Sequence, residues 1–174
     1  MDRKERLSLL ARANAGRRLF PEFADRLGAA LGRPVSYDEF LPLPTSDAIR
    51  AEFSRQRTTE PPLAPVLYSG WHEPDRMEAD LARLADELGT VLAIFGESDR
   101  VGVLPLVASD ALARAAALLE ATDWWFALTD RTAENSVALC FDSDWRANWQ
   151  PRPYEAVVSG AAWVVAASPH LRAV

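Results

Sequence analysis

Asp123-Trp-Trp-Phe-Ala-Leu-Thr-Asp130, followed by Ser136-Val-Ala-Leu-Cys-Phe141, reads as two strands joined by a turn over Asp130-Arg-Thr-Ala-Glu-Asn135. Side chains alternate across a strand, so Trp124, Phe126 and Leu128 share one face, and Trp125, Ala127 and Thr129 the other. In the second strand Val137, Leu139 and Phe141 oppose Ser136, Ala138 and Cys140. One face of the hairpin is therefore wholly apolar and is expected to be core. The other sets Trp125 beside small or polar residues.

That second face leads into a polar loop, 142–153, carrying Asp142, Asp144, Trp145, Arg146 and Trp149. Tryptophan rimmed by carboxylates and arginine is the composition of binding hot spots. Trp125, Trp145 and Trp149 are the expected apolar anchors. Asp130, Glu134, Asp142 and Asp144 are the expected acidic rim, with Arg146 among them. Buried anchors that merely pin the loop to the sheet are the plainer alternative. Beyond the loop, 154–167 fits a buried helix or a strand, and its alanines favour a helix.

Upstream of the hairpin, Pro74 opens a helix whose Met77, Leu81, Leu84 and Leu88 fall on one face, and Gly89 ends it. Short apolar runs at 66–68 and 90–95 flank it, a plausible strand-helix-strand unit. A turn at Glu97-Ser-Asp-Arg100 leads to a strand over 101–107, and Ser109 caps a helix facing inward through Leu112, Ala116 and Leu119.

The first third reads as helical. Leu7, Leu10 and Ala11 recur at helical spacing, and Pro21 opens a second stripe of Phe20, Phe23, Leu27 and Leu31. Ser36-Tyr-Asp-Glu39 has the form of a capping box, and Thr45 or Ser46 is placed to cap a helix with Ile49 and Phe53 inside. The expected fold is α+β: this helical third packed with a small mixed sheet of about five strands and two to three covering helices. A single domain, 1–174, is expected, with a helical sub-lobe, 1–57, joined through the proline-rich connection 58–65 as the lesser option.

With 174 residues, 49% hydrophobic and 25% charged, the chain has the balance of a globular domain. Its net charge of −6 opposes general nucleic-acid binding, which depends on cations that neutralise phosphates. The acidity suits a basic protein partner. Residues 1–57 are mildly basic, so a regulatory module contacting nucleic acid through its N-terminal helices is one alternative.

Cys140 is the only cysteine, which excludes an internal disulfide and a four-cysteine zinc site. No signal-peptide core or bilayer-length apolar run is present, so a cytoplasmic location with no membrane contact is expected.

No cofactor, metal or catalytic motif stands out. Asp142-Ser-Asp144 lacks the continuation of a calcium loop. Cys140 with His72 or His170, or His72 with the carboxylates of 97–100 or 142–144, would be an enzyme's tools on a small substrate. Ser69-Gly70, before His72, lacks the frame of a nucleophile elbow or phosphate loop. Acidity, surplus tryptophan and a bacterial-looking composition instead suit a small inhibitor, such as an immunity protein that blocks a toxin.

Overall fold

The computed structural model describes residues 2–59, 62–141 and 153–171. The hairpin forms as strands β4 (Trp125–Thr129) and β5 (Ser136–Phe141), with Phe126 opposite Leu139 and Leu128 opposite Val137. Four more strands extend it: β1 (Val66–Trp71), β2 (Thr90–Phe95), β3 (Leu104–Val107) and β6 (Tyr154–Ser159). The order is β1-β6-β5-β4-β2-β3, and every pairing is antiparallel. The class is α+β, with six antiparallel strands where a mixed sheet of about five was expected.

Two local readings explain that difference. Helix α3 (Pro74–Leu88) does follow β1 and precede β2, but three strands separate those two in the sheet. The crossover is real and the pairing is not, because partners arriving later in the chain fill the space between. The segment 154–167 is both a strand and a helix, since Gly160, at φ +96°, divides β6 from α7 (Ala161–Ala167). A side chain at Gly160 would collide with Asn135 Oδ1 and the Glu134 carbonyl. The alanines lie mainly beyond this division.

Helix α1 (Arg3–Leu31) is continuous, where a break before Pro21 was expected. An interior proline costs roughly 3 kcal/mol. Burial of a large apolar side chain contributes about 1.5–3 kcal/mol, and Phe23 and Leu27 are both fully buried. Those two residues together outweigh the lost hydrogen bond. Asp2 and Glu5 form a capping box at its start. The Ser36–Glu39 capping box also forms, around a short 3-10 turn.

Helix α2 (Leu43–Thr58) begins at the prolines instead of being capped by Thr45 or Ser46. Ser46 is buried, and its hydroxyl donates to the Leu41 carbonyl and accepts from the Val103 amide, stitching α2 to the start of β3. Residues 98–101 form a helical turn, α4, so only Leu104–Val107 is strand. The helix expected after Ser109 is split into α5 (Ala108–Leu112) and α6 (Ala115–Ala121).

Both faces of the sheet are used. Phe126, Leu128, Val137, Leu139, Ala156 and Val158 share one core cluster with Phe23 and Leu27 of α1, Leu81 and Leu84 of α3, and Trp163 of α7. Leu92, Ile94, Ala127 and Ala138 on the opposite face pack against Phe53 and Ile49 of α2. The hairpin is thus clamped between layers, and its two ends are what reach the surface.

Candidate protein-binding surface

The neighbouring indoles at the start of β4 lie on the sides that alternation assigns them, and what differs from expectation is how far each is exposed. Asp123 and Trp124 both have left-handed backbone angles, φ +52° and +65°, uncommon for residues with a side chain. The conformation is held by hydrogen bonds from the Trp124 amide to the Leu119 carbonyl (2.6 Å) and from the Phe141 amide to the Trp124 carbonyl (3.0 Å). Regular alternation therefore begins only at Trp125. Trp124 lies against Phe141 at the rim of the apolar face and is 40% exposed, whereas Trp125 is half-buried against the Phe53 ring of α2, 6.3 Å away.

Trp124 belongs to a row of three aromatic rings. It packs on Phe141 with ring centres 4.8 Å apart and planes tilted by 39°, and Phe141 packs on Tyr154 at 4.8 Å with a tilt of 52°. The row follows from register, since Phe141 and Tyr154 are paired across β5 and β6.

Carboxylates act at both ends of it. The Tyr154 hydroxyl is pushed above its ordinary pKa first by burial and then by the charges of Glu120, Glu73 and Glu78. Glu73 and Glu120 are exposed, while Glu78 accepts from the Ala116 amide at 3.0 Å. Asp123, beside Trp124, has an 83% exposed carboxylate only loosely countered by Arg26, 3.7 Å away. Arg26 also bonds Glu97 at 3.3 Å, so one cation serves two carboxylates. The result is an exposed indole at one end of an aromatic row whose other end, Tyr154, feels three carboxylates.

Two members of the expected acidic rim, Asp130 and Glu134, lie at the other end of the hairpin. Asp130 and Glu134 sit past the far end of β4, and five strand residues at about 3.3 Å each put roughly 16 Å between them and Trp124. The Asp130 carboxylate accepts from the Thr132 and Asn135 side chains and from the backbone amides of Thr132, Glu134 and Asn135. Those bonds build the turn. Glu134 is exposed and edges an open depression of about 450 Å³ with Arg55 and Ala161. Asp142, Asp144, Trp145, Arg146 and Trp149 lie outside the described residues.

Groups considered for chemistry are also placed. His72 is exposed on an open cleft of about 270 Å³ with Glu73, Arg76 and Asp80. Asp80 is committed to Trp71 Nε1 at 3.0 Å, Arg76 at 3.2 Å and Arg83 at 3.5 Å. Cys140 is half-buried and pairs in register with Glu155, which pairs with Gly70, so the thiol lies two strands away from the strand that His72 follows. Glu97 and Asp99 face α1 and its Arg26 and Arg12 rather than converging in a cleft. Among the described residues no group of three or more His, Cys, Asp or Glu is placed to hold a metal ion, and no helix is long and apolar enough to cross a membrane.

Sequence reasoning passed over Trp124, Phe141 and Tyr154 because alternation assigned the first two to the core and left the third in an undecided segment. Glu73 and Glu120 were visible as charges, but their effect on Tyr154 depends on β6 lying beside β5. No family model matches the chain, and comparisons with curated proteins and with solved structures give no significant match, so its function has to be argued from its own residues.

Proposed function

We propose that this chain is a protein-binding module whose surface around Trp124 engages a basic partner, in the manner of a small inhibitor such as a toxin-immunity protein. One observation carries the reading: an exposed tryptophan with Asp123 beside it packs on Phe141, which packs on Tyr154, whose hydroxyl feels the charges of Glu120, Glu73 and Glu78. A rigid aromatic anchor contributes contact area with little loss of side-chain freedom. A ring of carboxylates attracts a cationic surface and speeds encounter. The partner is then a protein whose cationic patch includes an apolar pocket for the indole.

The test is affinity capture from the native host with the wild type and three variants. Trp124→Ala and Glu120→Lys should each lose a basic protein that the wild type retains, by about 30-fold or more, the size of a hot-spot loss. Glu134→Lys, at the other end of the hairpin, should keep it. If all four proteins retain the same set of partners, the Trp124 surface is not the docking face.

A further inference from the structure

The N-terminal half of α1 carries a second feature that the aromatic surface does not use. Helical spacing brings Arg3, Arg6, Leu7, Leu10 and Arg17 onto one stripe, at i, i+3, i+4, i+7 and i+14. All five are exposed, Leu7 and Leu10 by 57% and 59%. The sequence spacing alone reads these leucines as an inner stripe. The inner side is instead taken by Arg12, tied to Asp47 at 2.6 Å, and by Gly16 against the Arg100 carbonyl. No carboxylate of the described residues pairs with Arg3, Arg6 or Arg17. The arm is therefore an apolar ridge edged by cations that have no carboxylate partner among the described residues.

This charge and shape are the complement of the Trp124 surface. The arm cannot reach its own molecule's surface. Asp123 lies against Arg26, and the 16 residues of helix between Leu10 and Arg26 span about 24 Å at 1.5 Å per residue. Pairing two arms with each other would oppose arginine to arginine. We infer that the basic face of α1 from one copy docks onto the acidic aromatic surface around Trp124 of a second copy. The inference rests on that surface being a docking face, and it names an occupant for it. Leu7 and Leu10 pack on the indole, while Arg3 and Arg6 meet Glu120 and Asp123. Each copy gives an arm and receives one, so the contact is head-to-tail and open to growth into a ring or a filament. The small area of the arm makes it a weak contact, with a dissociation constant of about 10⁻⁵ M.

Sedimentation velocity of the full chain tests this. At low salt the average mass should rise with concentration and fall back to monomer in about 1 M salt, where the Debye length is about 3 Å. An arm variant, Arg3→Glu with Arg6→Glu and Arg17→Glu, should be monomeric, as should a surface variant, Glu73→Lys with Glu120→Lys. Circular dichroism matching the wild type checks that both fold.

Mixing the two variants leaves one intact arm and one intact surface, so a dimer should form and nothing larger. A wild type that stays monomeric at every concentration overturns the inference, as does an arm variant that still self-associates. A monomeric chain that still captures a basic protein through Trp124 defeats this inference alone. A self-associating chain that captures none defeats only the reading as a module for another protein.

Discussion

The two ends of the β4–β5 hairpin spend their polar groups in opposite ways. At the turn, Asp130 turns its carboxylate inward to five donors, and Asn135 Oδ1 accepts from the amides of Ala162 and Trp163. At the other end, Asp123, Glu73 and Glu120 are exposed, beside an aromatic row whose indole is only partly covered. Satisfied polar groups fix a structure, whereas exposed charge beside an exposed aromatic ring is available to something else. The same residue types can thus be scaffold or surface, and only the placement of neighbouring strands decides which.

The largest effect expected is at the turn end. Gly160→Ala should lower unfolding free energy by about 3 kcal/mol, because the left-handed backbone and the collision with Asn135 and Glu134 act together. Urea denaturation measures this, and a loss below about 1 kcal/mol would mean that β6 and α7 are not locked to the turn. Next is Trp124→Ala, expected to cost about 2 kcal/mol of affinity for the basic partner while changing fold stability by under about 1 kcal/mol. A stability loss of about 3 kcal/mol would recast Trp124 as a core anchor and erase the contrast between the two ends.

Asp130→Ala sharpens the comparison from the other side. It should cost about 1.5 kcal/mol of stability, read by thermal or urea unfolding, with affinity unchanged. The smallest effect concerns Tyr154. Its raised pKa means that the folded phenol keeps its proton where the unfolded one, with a pKa of about 10, has lost it. Stability should therefore fall as pH rises through and above about 10. Glu120→Gln removes one of the charges responsible and should lower the tyrosinate titration midpoint, with Tyr154→Phe identifying the signal. An unmoved midpoint would place Glu120 too far away to belong to the surface.

Much of this architecture was legible from residue patterns. The hairpin, α3 with its Met77–Leu88 stripe, and the Ser36–Glu39 cap are local and appear where periodicity puts them. What escaped was non-local or conformational. Nothing in the residues around 154 announces that β6 inserts between β1 and β5. Alternation could not foresee the two left-handed residues at the start of β4, which leave Trp124 partly exposed at the rim of the apolar face, because that backbone is held by Leu119 and Phe141. The prolines at 42 and 44 start α2 in place of a serine or threonine cap, freeing Ser46 for a tertiary role. The idea of an acidic tryptophan surface came from composition, but the residues that form it among those described come from three-dimensional neighbours.

The central claim is that Trp124, and not its neighbour Trp125, meets the partner. The most direct measurement is an NMR titration of indole N–H signals with the captured basic protein, the two assigned through Trp124→Phe and Trp125→Phe variants. The account predicts that the Trp124 signal shifts on binding while the Trp125 signal, packed under Phe53, and the amides of 130–135 stay in place. A Trp124 signal that does not move while Trp125 or the turn amides respond would contradict it.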